Sequence, residues 1–344
     1  MHQEKVKNTK SFDIIEKLNS AIKEKNLKLI EDILINIKEN NITEPLIYNI
    51  PLIFPERHPD VDFEMKKTEL FLKYGQDINI ISTNNQSNNI LYETYNMELL
   101  KFYINNGADI HFVCKRDKRN LLFNGLNPIE KIKFLIESGV NIKQKNNLDE
   151  NFLFGLLTEP DVLKEVIPLI DFNILKNEVA QGGSLLTECR NLESLQILID
   201  NGCDVNLNVY DGEPTMMSTA LTEATFNSDR DPVKLEKVKL LLKNGANPNL
   251  VRGNGEKFEF IGSEKMDIIS GCSLEILEEL LKYGLDIKSD SFYEKIYLKG
   301  NPYNHPKIDK IIELYNVIIA KEEKEFINKS LEKNIIKSEN KKRL

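Results

Sequence analysis

Leu241-Leu242-Lys243-Asn244-Gly245-Ala246-Asn247-Pro248-Asn249 is a phrase that the chain repeats along its length. Close copies are Phe102-Tyr103-Ile104-Asn105-Asn106-Gly107-Ala108-Asp109-Ile110 and Ile197-Leu198-Ile199-Asp200-Asn201-Gly202-Cys203-Asp204-Val205-Asn206, and others end at Gly75, Gly139 and Gly284. Each copy is an apolar run, two polar residues, a glycine, a small or apolar residue, and Asp or Asn. The apolar run predicts the last turns of a buried helix. The glycine stops it in the left-handed conformation without a Cβ penalty. The Asp or Asn then favours a turn by bonding nearby backbone groups.

The spacing fixes the architecture. Gly75 to Gly107 is 32 residues and Gly107 to Gly139 is 32 again. The next step reaches Asp171, in Ile170-Asp171-Phe172-Asn173-Ile174, where the phrase persists without its glycine. Asp171 to Gly202 is 31, and the last two steps lengthen to 43 and 39. A period near 33 with one helix stop per period predicts a stack of helix pairs, each burying its apolar face against its neighbours.

With these residues in view, the chain resembles the ankyrin-repeat family over roughly residues 43–290. The family's inner-helix phrase is eroded to Asn89-Ile90-Leu91-Tyr92, Asn120-Leu121-Leu122-Phe123, Asn151-Phe152-Leu153-Phe154, Ser184-Leu185-Leu186-Thr187 and Thr219-Ala220-Leu221-Thr222. The resemblance implies an all-α-dominated solenoid of about seven helix-turn-helix repeats joined by short β-hairpins. Inner helices about a turn short are expected. Residues 1–42 read as an N-terminal helical cap, 43–290 as the repeats, and 291–344 as a C-terminal helical cap with a charged tail.

Composition narrows the function classes. Lys plus Arg number 46 and Asp plus Glu 54, a net charge of −8, which argues against a nucleic-acid partner. The N-terminus carries no apolar run that would read as a secretory signal, and no stretch approaches the length of a membrane span. A cytoplasmic protein is expected. Cys114, Cys189, Cys203 and Cys272 share no pairing pattern and read as reduced core residues. From Lys321 to Leu344, eight Lys/Arg against five Glu leave a local balance of +3.

No catalytic or cofactor motif emerges, and neither an enzyme nor a bound cofactor is expected. The histidines His2, His58, His111 and His305 are scattered, and no Cys-x-x-Cys occurs. Asp204–Gly212 imitates a calcium loop, but Val209 and Thr215 stand where that loop needs Gly and Glu. No metal ligand is therefore assigned.

The resemblance implies a protein-binding groove lined by hairpin tips and inner helices. Candidate hairpin contacts are Phe112, Lys115, Arg116, Arg119, Tyr210 and Arg252. The residue two after each inner leucine is expected to face the groove: Glu93, Asn124, Gly155, Glu188 and Glu223. The three glutamates predict an acidic stripe and a partner with a basic surface. The corresponding function is an inhibitor or scaffold clamping one cytosolic protein, with a toxin-neutralising immunity protein as its sharpest form. The alternative is a secreted effector or phage-encoded antagonist that sequesters a host defence protein.

Overall fold

A computed structural model of the chain describes residues 16–40, 59–81, 89–125, 127–181, 183–210, 217–225, 232–249, 273–285 and 319–329, with a few single positions besides. Cys272 and residues 291–312 of the expected C-terminal cap lie outside these residues. The chain divides into two compact bodies, Met1–Leu198 and Ile199–Leu344.

The N-terminal body opens with helical residues 16–23, which bury Leu18 and Ala21. Helix α1 (Leu27–Glu39) starts where the Asn26 side chain accepts from the Leu29 N–H, and it buries Ile30, Leu34 and Ile37 at helical spacing. Helix α2 (Val61–Lys73) starts likewise on Asp60, which accepts from the Phe63 N–H. The two helices pack together. Their rims are joined by Lys73–Glu31 at 2.7 Å and by the Tyr74 hydroxyl donating to the same carboxylate at 3.0 Å. Helices α3 (Met97–Asn105), α4 (Ile129–Glu137) and α5 (Pro160–Val166) follow at the repeat period. Leu99, Leu100, Ile132, Leu135 and Leu163 are fully buried along them. The short helices α6 (Phe172–Leu175) and α7 (Leu185–Glu188) come next, then α8 (Leu192–Asp200), inside which the body boundary falls. The C-terminal body holds the ribbon β1 (Val209–Tyr210) and β2 (Met217–Ser218), followed by α9 (Ala220–Thr225), α10 (Pro232–Lys243) and α11 (Leu274–Lys282).

The helix stops behave as the sequence predicts. Gly75, Gly107, Gly139, Gly202, Gly245 and Gly284 all take positive φ, from 79° to 91°. At Gly107 the Ala108 N–H donates to the Tyr103 carbonyl and the Gly107 N–H to that of Ile104. This is the Schellman pairing, which satisfies two carbonyls that the helix leaves open. The residue after the glycine is buried at Ala108, Val140, Ala246 and Leu285. At Asp171 the glycine is missing and the ending differs. Helix α5 tightens into a 3-10 turn over Ile167–Leu169, and Asp171 precedes α6.

Inner helices shrink further than the expected loss of one turn. Residues 90–93 form only turns, Leu121–Phe123 and Phe152–Leu156 are 3-10 helices, and Leu185–Glu188 is a single α-turn. A turn this short has no cooperative helical stability of its own. A buried polar residue at its start holds it instead. The Asn89, Asn120 and Asn151 carboxamide oxygens accept from Tyr92, Leu122 and Leu153 N–H groups, and all three residues are at most 1% exposed. Ser184 closes a capping box with Thr187.

One interior position is unlike a normal core. The residue eight before the stop glycine is buried in each repeat that has one, as Lys67, Leu99, Lys131, Ser194, Lys237 and Ile276. Three of these are lysines. Lys67 Nζ meets the buried Glu64 carboxylate at 2.6 Å. Lys131 Nζ reaches back to the preceding inner turn and donates to the Leu91 carbonyl at 2.9 Å and the Tyr92 carbonyl at 3.4 Å. It also lies 5.4 Å from the Tyr95 ring centroid. Burial pushes the Lys131 ammonium down to about 7, against a weaker upward pull from Glu93.

Two predictions follow from this packing. Nothing lies within 4 Å of a Cβ built at Gly107, so a substitution there reports backbone strain alone. Gly107→Val lowers the unfolding free energy by roughly 1–3 kcal/mol in denaturant titration, and Gly107→Asn, which tolerates the left-handed region, costs less. The second concerns Lys131. Its folded-state affinity for the proton lies below the unfolded one, so the unfolded chain binds more protons between about pH 7 and pH 10.5. Stability therefore gains a component that rises with pH across that window, at most about 1.4 kcal/mol per unit. Melts of Lys131→Met lack that component, whatever their absolute stability, whereas an unchanged pH slope would contradict the burial of the charge.

Candidate protein-binding surface

The hairpins entering repeats three, four and five lie side by side within the N-terminal body. Val113 bridges Asn120 across the first, and Val179 bridges Ser184 across the third. In the first, the Cys114 N–H donates to the Arg119 carbonyl and Lys118 turns through φ 60°. In the second, the Asn146 side chain accepts from the Leu148 and Glu150 N–H groups, and Asp149 takes φ 60°.

Side-chain amides join one tip to the next. Gln144 Nε2 donates to the Lys118 carbonyl at 2.8 Å and Asn147 Nδ2 to that of Arg116 at 2.7 Å. The Asn147 N–H donates to the Asp117 carbonyl at 3.0 Å. On the far side, the Gln181 N–H donates to the Leu148 carbonyl and its Nε2 to Asn147 and Asp149. Below the tips, the Asn120 carboxamide donates to the Asn141 carbonyl and that of Asn151 to the Glu178 carboxylate.

A second clamp runs through the turns after Gly75, Gly202 and Gly245. Asn79 donates to the Gly107 carbonyl and accepts from the Asp109 N–H. In the C-terminal body Asn206 does the same for Gly245 and Asn247, and Asn249 donates to Gly284. His111 and Lys143 occupy the equivalent positions in repeats two and three, so the amide joints at the tips stand where this clamp is missing.

The candidate residues divide by their surroundings. Lys115 and Arg116 are exposed as expected, and so is their neighbour Lys118. Arg119 is not a free contact. Its guanidinium binds Asp117 at 2.6 Å and stacks over the Tyr92 ring at 5.7 Å. Burial alone would raise the Asp117 carboxyl, but the hydrogen bonds from Arg119 prevail and hold it below its ordinary range. Burial pushes the Tyr92 phenol up to about 12, so it stays protonated beside this pair. Phe112 is half-buried. Tyr210 forms the β1 strand opposite Met217. Arg252 lies outside the described residues.

The glutamates expected to line the groove differ in exposure. Glu188 is exposed, Glu93 and Glu223 are half-buried, and Glu93 acts electrostatically on the buried Lys131. Asn124, expected on the same face, is instead 8% exposed and points inward. Its Nδ2 donates to the Tyr92 carbonyl at 3.0 Å and the Tyr95 hydroxyl at 3.1 Å. The 3-10 geometry of Leu121–Phe123 gives three residues per turn, which rotates the following position away from the face an α-helix would give it. Exposed aliphatic residues on these hairpins, not singled out from sequence, are Val113 at 39%, Leu148 at 51% and Val179 at 36%. Their signal in the sequence was an apolar residue among turn formers.

Cys114, Cys189 and Cys203 are buried and form no disulfide among the described residues. No group of three His, Cys, Asp or Glu able to hold a metal forms among the described residues. No helix among them is long and apolar enough to cross a membrane.

No family model and no curated protein matches the chain. Solved structures do. The ankyrin repeat domain of Bcl-3, a member of the IkappaB protein family, is 17% identical over 64% of this chain and 93% of that one, with a TM-score of 0.48. An ankyrin repeat domain from Acinetobacter baumannii AYE is 22% identical over 54% and 92%, with a TM-score of 0.41. The human ASB11 ankyrin repeat domain is 16% identical over 59% and 86%, also at 0.41. The fold assignment rests on the chain's own geometry: helix pairs at a period near 33, a left-handed glycine at six of the stops, and clamped turns between them make this an ankyrin-repeat fold.

Proposed function

We propose that the chain is a protein-binding module, without catalysis, whose N-terminal body meets its partner through the hairpins entering repeats three, four and five. The observation that carries this reading is the amide stitching of those tips. It fixes three loops in one arrangement before any partner arrives, so little ordering cost remains on binding. The same tips present exposed aliphatic and cationic side chains that have little structural use where they stand.

The finer readings share this fold and differ in the contact. An inhibitor or scaffold gripping a basic protein, an immunity protein neutralising a toxin among them, uses the acidic row of Glu93, Glu188 and Glu223. The alternative, an effector or antagonist that sequesters a defence protein, is separated from these by the partner's identity alone.

Photo-crosslinking tests the hairpin reading. Benzoylphenylalanine in place of Lys115 captures one dominant protein from the native cell, whereas the same group in place of Lys164, exposed on helix α5, does not. Glu188→Lys with Glu223→Lys leaves that capture intact. Equal capture at both positions, or none at 115, contradicts the proposal. Loss of capture in the double charge reversal moves the contact to the acidic row.

A further inference from the structure

The hairpin entering repeat three is a basic island on an acidic chain, and the neighbouring hairpin over 141–150 adds Lys143 and Lys145 against Asp149 and Glu150, a balance of 2 − 2 = 0. Residues 111–119 carry Lys115, Arg116, Lys118 and Arg119 against Asp117, a balance of 4 − 1 = +3, while the whole chain is −8. Self-pairing leaves much of this charge open. Arg119 is taken by Asp117, and Lys145 on the next hairpin by Glu178 at 3.3 Å. Lys115, Lys118 and Lys143 are exposed and form no ion pair among the described residues, and Arg116 reaches Asp117 only at 3.6 Å.

The way these tips are joined explains why the charge persists. Gln144 and Asn147 cross between hairpins with neutral carboxamides that bind backbone carbonyls. Carboxylates in that place would have neutralised the lysines. Val113 and Leu148 stand exposed on the same two tips, so apolar surface is interleaved with the cations.

We propose that these two hairpins take an extended acidic segment of a partner protein, with aliphatic side chains between its carboxylates. The proposal deepens the protein-binding reading and depends on it. Charge complementarity selects the acidic partner: a lysine-rich segment would meet like charge here, at a cost to both encounter rate and affinity. Stacked repeats lie about 10 Å apart, the distance between packed helices. A segment in the extended polyproline-II conformation rises about 3.1 Å per residue with three residues per turn, so it covers that distance in about three residues and returns every third side chain to the same face. Carboxylates at every third position can therefore face cations on successive hairpins, and the residues between them can cover Val113 and Leu148.

A selection from a random twelve-residue peptide library, displayed on phage and run against the full-length chain, tests this directly. The expected winners carry Asp or Glu at three-residue spacing with Leu, Ile or Val between. A winning peptide made synthetically binds at least about tenfold more weakly when the salt is raised to screen the pairs. It also binds at least tenfold more weakly to the variant Lys115→Glu/Lys118→Glu/Lys143→Glu, whose far-ultraviolet dichroism matches the parent. Leu148→Ser weakens it without changing the salt dependence. Winners that are basic or neutral, no winners, or acidic winners that bind the charge-reversed variant equally would each overturn the proposal. Oligouridine that displaces the acidic peptide with higher affinity would overturn it in favour of a nucleic acid. If the crosslinker at position 115 captures a protein but the library yields no acidic winners, the acidic class fails and the protein-binding reading stands.

Discussion

Buried asparagine carboxamides hold the shortened inner turns after Asn89, Asn120 and Asn151 to the hairpins that follow them, and the rest of the N-terminal body depends on those bonds. Asn89 and Asn120 each close a turn with the carboxamide oxygen and donate to the next hairpin's backbone with the nitrogen. Asn151 closes its turn the same way and donates to Glu178. At 1% exposure or less, neither end of these groups has water as an alternative. A lost bond there costs the full desolvation of the group left behind. The turns are too short to survive on helical propensity, so the polar cap replaces the missing length of helix.

This substitution sets the character of the interior. A long inner helix would satisfy its own carbonyls, but the bare turns over residues 90–93 leave some open. Lys131 Nζ fills that deficit at Leu91 and Tyr92, and Asn124 Nδ2 also donates to Tyr92. The core between repeats two and three is therefore partly polar, and it gains directional fit where a leucine-filled core would have area alone. Burying an ammonium is expensive, and its low proton affinity is the expression of that cost.

The sequence made the outer half of each repeat readable and concealed much of the inner half. The stop glycines were legible because one physical demand, a positive φ, falls on one residue type. The inner turns were legible only in part: a loss of about one turn was expected, and they shrink further. Asn-x-Leu at positions 89, 120 and 151 was visible as an eroded phrase, but its role as a buried two-ended bridge depends on the hairpin that folds over it. Arg119 and Asn124 were misplaced for related reasons. Arg119 looks like a surface cation until Asp117 and Tyr92 are brought to it, and Asn124 faces inward because a 3-10 turn rotates faster than an α-helix. Lys131 was not singled out, since nothing along the chain marks a cation that will be enclosed. Exposed side chains such as Lys115 and Leu148 carry no periodic signal, because their use lies in another molecule.

The account joins these levels in one claim: buried caps set the turns, the turns set the hairpins, and stitched hairpins present the binding surface. Hydrogen exchange of Asn120→Ala, followed peptide by peptide, tests it most directly. The account predicts faster exchange in both hairpins that Asn120 joins, residues 110–119 and 141–150, while helices α1 and α2 keep their protection. Unchanged exchange in the hairpins, or a uniform loss across the whole chain, would contradict it.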